Sequence, residues 1–76
     1  MNNSRRKRIN QSIAQLESAK AMLEEVLEKE RNALSTLPDD EEYDDMRDGM
    51  DDVTSSIENT ISSLDDALDN LNSCDF

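Results

Sequence analysis

The chain has 76 residues, 34% hydrophobic and 36% charged, and its 8 Lys+Arg against 19 Asp+Glu leave a formal net charge of −11. So short and charged a chain makes one small domain, near the limit of what folds without disulfides, a metal or self-association, and a deep enzyme pocket is not expected. The negative charge disfavours direct nucleic-acid binding, the longest apolar run (Ala21-Met22-Leu23) is far short of the ~20 residues of a membrane span, and the lone Cys74 suits a reducing, cytoplasmic compartment rather than a secreted scaffold.

In the first half, Ile9, Ile13, Leu16, Leu23, Leu27, Leu34 and Leu37 recur at alternating three- and four-residue steps, with Lys20 and Glu30 as polar interruptions. That spacing predicts an amphipathic helix over about residues 4–35. Residues 35–40 read as a loop: Pro38 keeps Leu37 from continuing a helix and is tolerated in the first turn of the next one. The second helix is predicted over about 38–72, with Asp39, Asp40, Glu41 and Glu42 where the helix dipole favours negative charge. Its expected seam is Tyr43, Met46, Met50, Val53, Ile57, Thr60, Leu64, Ala67, Leu71 and Cys74, with Cys74 as a small core residue and Ile61 and Leu68 widening one side.

A short loop between two long helices makes them antiparallel neighbours, so the predicted fold is all-α: a two-helix hairpin forming a single domain, 1–76. Folding at the loop pairs residues whose numbers sum to about 77. In that register Glu30 meets Arg47 and Lys20 reaches Glu58. The basic run Arg5-Arg6-Lys7-Arg8 and the carboxylates Asp65, Asp66 and Asp69 each occupy the unfavourable end of a helix dipole, and a mutual clamp between them is expected.

Both helices carry more apolar or small surface than one seam uses: Ala19, Val26 and Ala33 on the first, and Gly49, Ser56, Ser63 and Asn70 at every seventh position of the second. Small residues at that spacing permit another helix to approach closely, and the second helix, crowded with Asp, Ser and Thr, is weak by local preference. A homodimer forming a four-helix bundle is the simplest remedy.

With no histidine, zinc-type metal sites and His-based triads are excluded, and no cofactor is expected. Asp44, Asp48 and Gly49 match positions of an EF-hand loop, but Met46 and Ser55 fall where carboxylate ligands are required. What remains is charge. Residues 1–37 hold 7 basic and 5 acidic groups, whereas residues 38–76 hold 1 basic and 14 acidic. Asp44, Asp45, Asp48, Asp51 and Asp52, preceded by the Asp39 to Glu42 run, are expected to project away from the seam as the partner-binding patch for a basic protein surface.

The set Arg8-Ile9, Ile13, Leu16, Leu23, Leu27, Glu30, Ala33 and Leu34, then Leu37-Pro38, then Tyr43, Ile57, Ile61, Leu64, Ala67-Leu68 and Leu71 resembles the small acidic helical-hairpin proteins of bacteriophages, prophages and conjugative elements. The resemblance implies a mobile-element protein in a bacterial cytoplasm and no established activity. The expected role is a non-enzymatic inhibitor or nucleic-acid mimic, anti-CRISPR-like, blocking a basic surface of a host or defence protein. The alternative is a homodimeric assembly module whose acidic face only confers solubility.

Overall fold

The computed structural model describes residues 2–74; Met1, Asp75 and Phe76, which the single-domain expectation included, lie outside them. Helix α1 runs Asn3–Ser35, a short 3-10 turn occupies Glu41–Tyr43, and helix α2 runs Asp44–Ser73. The architecture is the all-α antiparallel hairpin, a rod of 60 × 15 × 13 Å with a radius of gyration of 17.6 Å, against about 11 Å for a compact domain of this length.

Both ends of α1 have identifiable caps. Asn2 precedes α1 in an extended conformation, and its Oδ1 accepts the Arg5 N–H at 2.9 Å, satisfying one of the donors left free in a first turn. At the other end the Ser35 and Thr36 hydroxyls donate to the carbonyls of Asn32 and Ala33. Pro38 lies in the loop rather than in a first helical turn, and α2 starts six residues later than expected. The physical reason is Asp40, which is extended and accepts the Glu42 N–H on its side chain and the Tyr43 N–H on its carbonyl, so the chain turns into a 3-10 segment there. Arg47 ties this loop down: its guanidinium donates to the Pro38 carbonyl at 2.6 Å and pairs with Asp44 at 3.0 Å.

The seam of α1 is the predicted one, Lys20 and Glu30 included: Ile9, Ile13, Leu16, Lys20, Leu23, Leu27, Glu30, Leu34 and Leu37 are all buried or half-buried. That of α2 differs. Tyr43, Met50, Ile57, Leu64 and Leu71 line it as expected, but the interleaved row is Arg47, Thr54, Ile61 and Leu68. Met46, Val53, Thr60 and Cys74 are exposed, and Ala67 is half-buried beside the seam. A straight helix turns only one of two adjacent rows inward. Ile61 and Leu68 outweigh Thr60 and Ala67, and the stem of Arg47 packs inward while its charged end reaches the loop.

The four most buried side chains are Ile13, Leu27, Thr54 and Leu68, at 8–9% exposure. The register is set by the ion pairs that cross between the helices: Lys20 with Asp65 and Arg31 with Glu58 sum to 85 and 89 rather than 77, so α2 is displaced along α1 by about a helical turn or more from the expected register. Hence the expected pairs Glu30 with Arg47 and Lys20 with Glu58 do not form; Lys20 pairs with Asp65 and Glu58 with Arg31.

Candidate functional site

The seam rows are a (Ile13, Lys20, Leu27, Leu34 on α1; Arg47, Thr54, Ile61, Leu68 on α2) and d (Ile9, Leu16, Leu23, Glu30, Leu37; Tyr43, Met50, Ile57, Leu64, Leu71) of a heptad. In an antiparallel pair the e rows of the two helices share one flank and the g rows the other. Every ion pair among the described residues is on the e side: Lys20 with Asp65 at 2.5 Å and Glu24 at 3.7 Å, Arg31 with Glu58 at 2.6 Å, and Arg47 with Asp44.

All acidic residues of α2 within Asp44–Ser73 occupy rows b, e and f: Asp44, Asp51, Glu58 and Asp65 in e, Asp48 and Asp69 in b, Asp45, Asp52 and Asp66 in f. At about 100° per residue these rows span only about 100° of the helix circumference. The expected patch is therefore brought together: Asp44, Asp45, Asp48, Asp51 and Asp52 are exposed on one side, and the exposed Asp39, Asp40, Glu41 and Glu42 crown the loop at its end. Two of these groups are partly committed within the hairpin, Asp40 as a cap and Asp44 to Arg47. The one cation in this stretch, Arg47, is half-buried and turned toward the loop carbonyl, so the outward field of residues 39–52 is that of nine carboxylates.

Rows c and g of α2 carry no charge at all: Gly49, Ser56, Ser63 and Asn70 in c, Met46, Val53, Thr60, Ala67 and Cys74 in g. Beside them on α1 lie Ser12, Ala19, Val26 and Ala33 in g and Gln15 and Met22 in c, with Lys29, Arg5 and Arg8 as the only charges. The four exposed large hydrophobic residues, Met22 (67%), Val26 (48%), Met46 (56%) and Val53 (47%), all fall on this flank. Sequence reasoning assigned Met46, Val53, Thr60 and Ala67 to the seam and so missed the surface, although the recurrence of small residues at Gly49, Ser56, Ser63 and Asn70 marked its edge.

Among the described residues the run Arg5 to Arg8 makes no ion pair with Asp65, Asp66 or Asp69. The expected clamp fails because Lys20 already pairs with Asp65: Asp69 lies only four residues further along α2, whereas Arg8 lies twelve residues before Lys20 on α1, so the basic run is carried well past Asp69. Lys20 is the group whose titration is clearly displaced: the hydrogen bond it donates to Asp65, opposed by desolvation and aided by the charges of Asp65 and Glu24, raises its pKa above the usual 10.5. With the folded-state value raised, this pairing favours the folded chain fully below pH 10.5 and is lost as pH rises through the displaced value.

Shallow open depressions of the described surface include one along Asn3, Ser4, Arg6, Lys7 and Asn10 and another between Glu17, Lys20, Ala21 and Glu24 of α1 and Asp65, Leu68 and Asp69 of α2. In the second, Lys20 is held by Asp65 and Glu24. Among the described residues no group of three or more metal-ligating side chains converges, the acidic patch included, and no helix is long and apolar enough to cross a membrane. No protein-family model, curated protein or solved structure matches this chain.

Proposed function

We propose that the chain is a non-enzymatic interaction protein whose acidic flank occupies a basic surface of another protein, including a surface that otherwise holds nucleic acid. The mobile-element resemblance suggests an anti-CRISPR-like inhibitor acting on a host or defence protein. The observation that carries this reading is segregation: the carboxylates of α2 lie within one arc, while two whole rows of the same helix hold none. A solubilising surface gains nothing from such concentration, which adds self-repulsion along α2. Carboxylates three and four residues apart stand about 5–6 Å from each other at Cβ, a linear array of negative charge that a groove built for phosphates accepts. Electrostatic steering then speeds the encounter and makes it salt-sensitive.

The test is displacement. Purified nucleic-acid-binding proteins of a bacterial host, each loaded with a labelled DNA duplex, are titrated with the protein at about 50 and about 300 mM salt, spanning Debye lengths of roughly 14 to 6 Å. The expected result is DNA release from at least one of them, weaker at high salt and lost in the variant D48K/D51K/D52K with its helical circular dichroism intact. Asp44 is left in place because it holds Arg47. Release from none, or release unchanged in the variant, overturns the reading. The alternative of a homodimeric assembly module is favoured by a separate observation, the four large apolar side chains exposed on the opposite flank.

A further inference from the structure

The uncharged flank is a surface for which the hairpin itself has no use. The accessible surface of the chain is 5830 Å², whereas a compact monomer of its 8.6 kDa mass exposes about 4,700 Å². The surplus of about 1,100 Å² comes with a rod too thin to bury a third row on either helix. Three of the hydroxyls on the flank are already engaged, Ser12 donating to the Arg8 carbonyl at 3.0 Å, Thr60 to the Ser56 carbonyl at 2.8 Å and Ser63 to that of Asn59 at 3.1 Å, so covering these three strands no donor.

We infer that a second copy of this chain covers the flank, with the twofold axis normal to the rod, so that the loop end of each copy lies against the open end of its partner. This inference deepens the assembly reading and is independent of any basic partner. Two observations select the occupant and its orientation. The first is size. Toward the loop the flank carries the exposed large side chains Val26, Met46 and Val53, with Ala33, Gly49 and Lys29 beside them; toward the open end it carries Ser12, Ser63 and Ala67 with Gln15 and Asn70, and no exposed large hydrophobic residue among those described. A twofold axis normal to the rod, passing near Met22 and Thr60, lays each bulky half on a small half, as a self-complementary interface requires. An axis along the rod would set bulk on bulk and leave the small halves apart.

The second observation is charge. Arg5 and Arg8 stand on the same flank at the open end and form no ion pair among the described residues, while Asp39 and Glu42 crown the loop end. With the axis midway along the flank, the helical rise places Arg5 of each copy level with its partner's loop. The basic run, on the unfavourable end of its own helix dipole, thus gains acidic neighbours in the other copy. The size suffices as well: rows running from Met46 to Cys74 extend about 42 Å, and with a width of 15 Å the covered area is roughly 600 Å² per copy, or about 1,200 Å² in all, above the ~1,000 Å² expected of a specific interface.

The test is solution mass by analytical ultracentrifugation across a dilution series at constant, near-physiological salt, with circular dichroism to report the hairpin. The wild type is expected at twice 8.6 kDa when concentrated and to dissociate on dilution. V53E, placed where the side chain is half exposed in the hairpin, is expected to remain helical and become monomeric. R5E/R8E and D39K/E42K are each expected to dimerise at least 10-fold more weakly, and the quadruple variant combining them is expected to return to within about 3-fold of wild type, because each reversed end then meets a reversed loop. A wild-type monomer at every concentration, a V53E dimer of unchanged strength, or charge variants that do not respond in this pattern would overturn the inference. None of these outcomes bears on Asp48, Asp51 and Asp52, so failure here is distinguishable from failure of the acidic-flank reading.

Discussion

Replacing Thr54 with valine is expected to stabilise the hairpin. Thr54 is 8% exposed in the seam row of α2, and its hydroxyl has no hydrogen-bond partner. Thr60 shows the alternative, donating to the carbonyl four residues earlier, a bond Thr54 does not make. An unsatisfied buried hydroxyl costs about 1–3 kcal/mol, the methyl that replaces it adds up to about 0.8 kcal/mol of burial, and threonine and valine have similar helix propensities. Allowing for the thinness of the rod, the net gain is about 1–2 kcal/mol. With an unfolding entropy of about 2.1 cal/mol/K per residue, that is a rise of roughly 6–12 °C in Tm. The assay is thermal unfolding followed by far-ultraviolet circular dichroism, at a dilution where the solution mass is that of one chain. Val53→Thr, at the adjacent half-exposed site, is the control and is expected to change stability by less than about 0.5 kcal/mol there. A Thr54→Val variant no more stable than wild type, or a Val53→Thr variant clearly less stable, would place Val53 rather than Thr54 in the seam and refute both the register and the two flanks built on it.

The register has a covalent test: in a Cys74→Ser background, Ile13→Cys with Leu68→Cys is expected to close an intrachain disulfide on mild oxidation, whereas Ile13→Cys with Leu64→Cys, one turn away, is expected to keep its thiols. The reverse preference, scored by thiol titration, would restore the register inferred from the loop alone. Gly49→Ala is expected to raise stability by about 1 kcal/mol, since Gly49 sits inside α2 and an added Cβ meets nothing within 4 Å; a drop in the same thermal melt would mean that α2 bends there.

The two helices, the hairpin and the whole seam of α1 were legible in the sequence because one row of that helix is apolar and its neighbours are polar. In α2 two rows compete for the position beside Tyr43, Met50, Ile57, Leu64 and Leu71. Local hydrophobicity favours Met46 and Val53 over Arg47 and Thr54 in the first half, and Ile61 and Leu68 over Thr60 and Ala67 in the second. A rigid helix settles the conflict over its whole length, which a residue-by-residue count does not express. The wrong row carried the register with it and concealed the uncharged flank. The outward placement of Asp44, Asp45, Asp48, Asp51 and Asp52 was legible for the opposite reason, since a carboxylate with no cation in an apolar seam to meet it stays in solvent. The start of α2 escaped because four consecutive acids suit a first helical turn and a capping turn equally well, and the conformation of Asp40 decides between them.

Because the chain doubles back once, each layer of the seam touches only the layers beside it, and the sequence distance bridged by a layer grows steadily from the Leu37 and Tyr43 level to the Ile9 and Leu71 level. Such a molecule behaves as a zipper. Closing begins at the bend, where the entropy of joining the strands is least and Arg47 fastens the turn, and propagates outward one rung at a time. Opening runs the other way, so fraying is concentrated at the end that carries Arg5 and Arg8, and amides protected longest from exchange lie in the turns nearest Pro38.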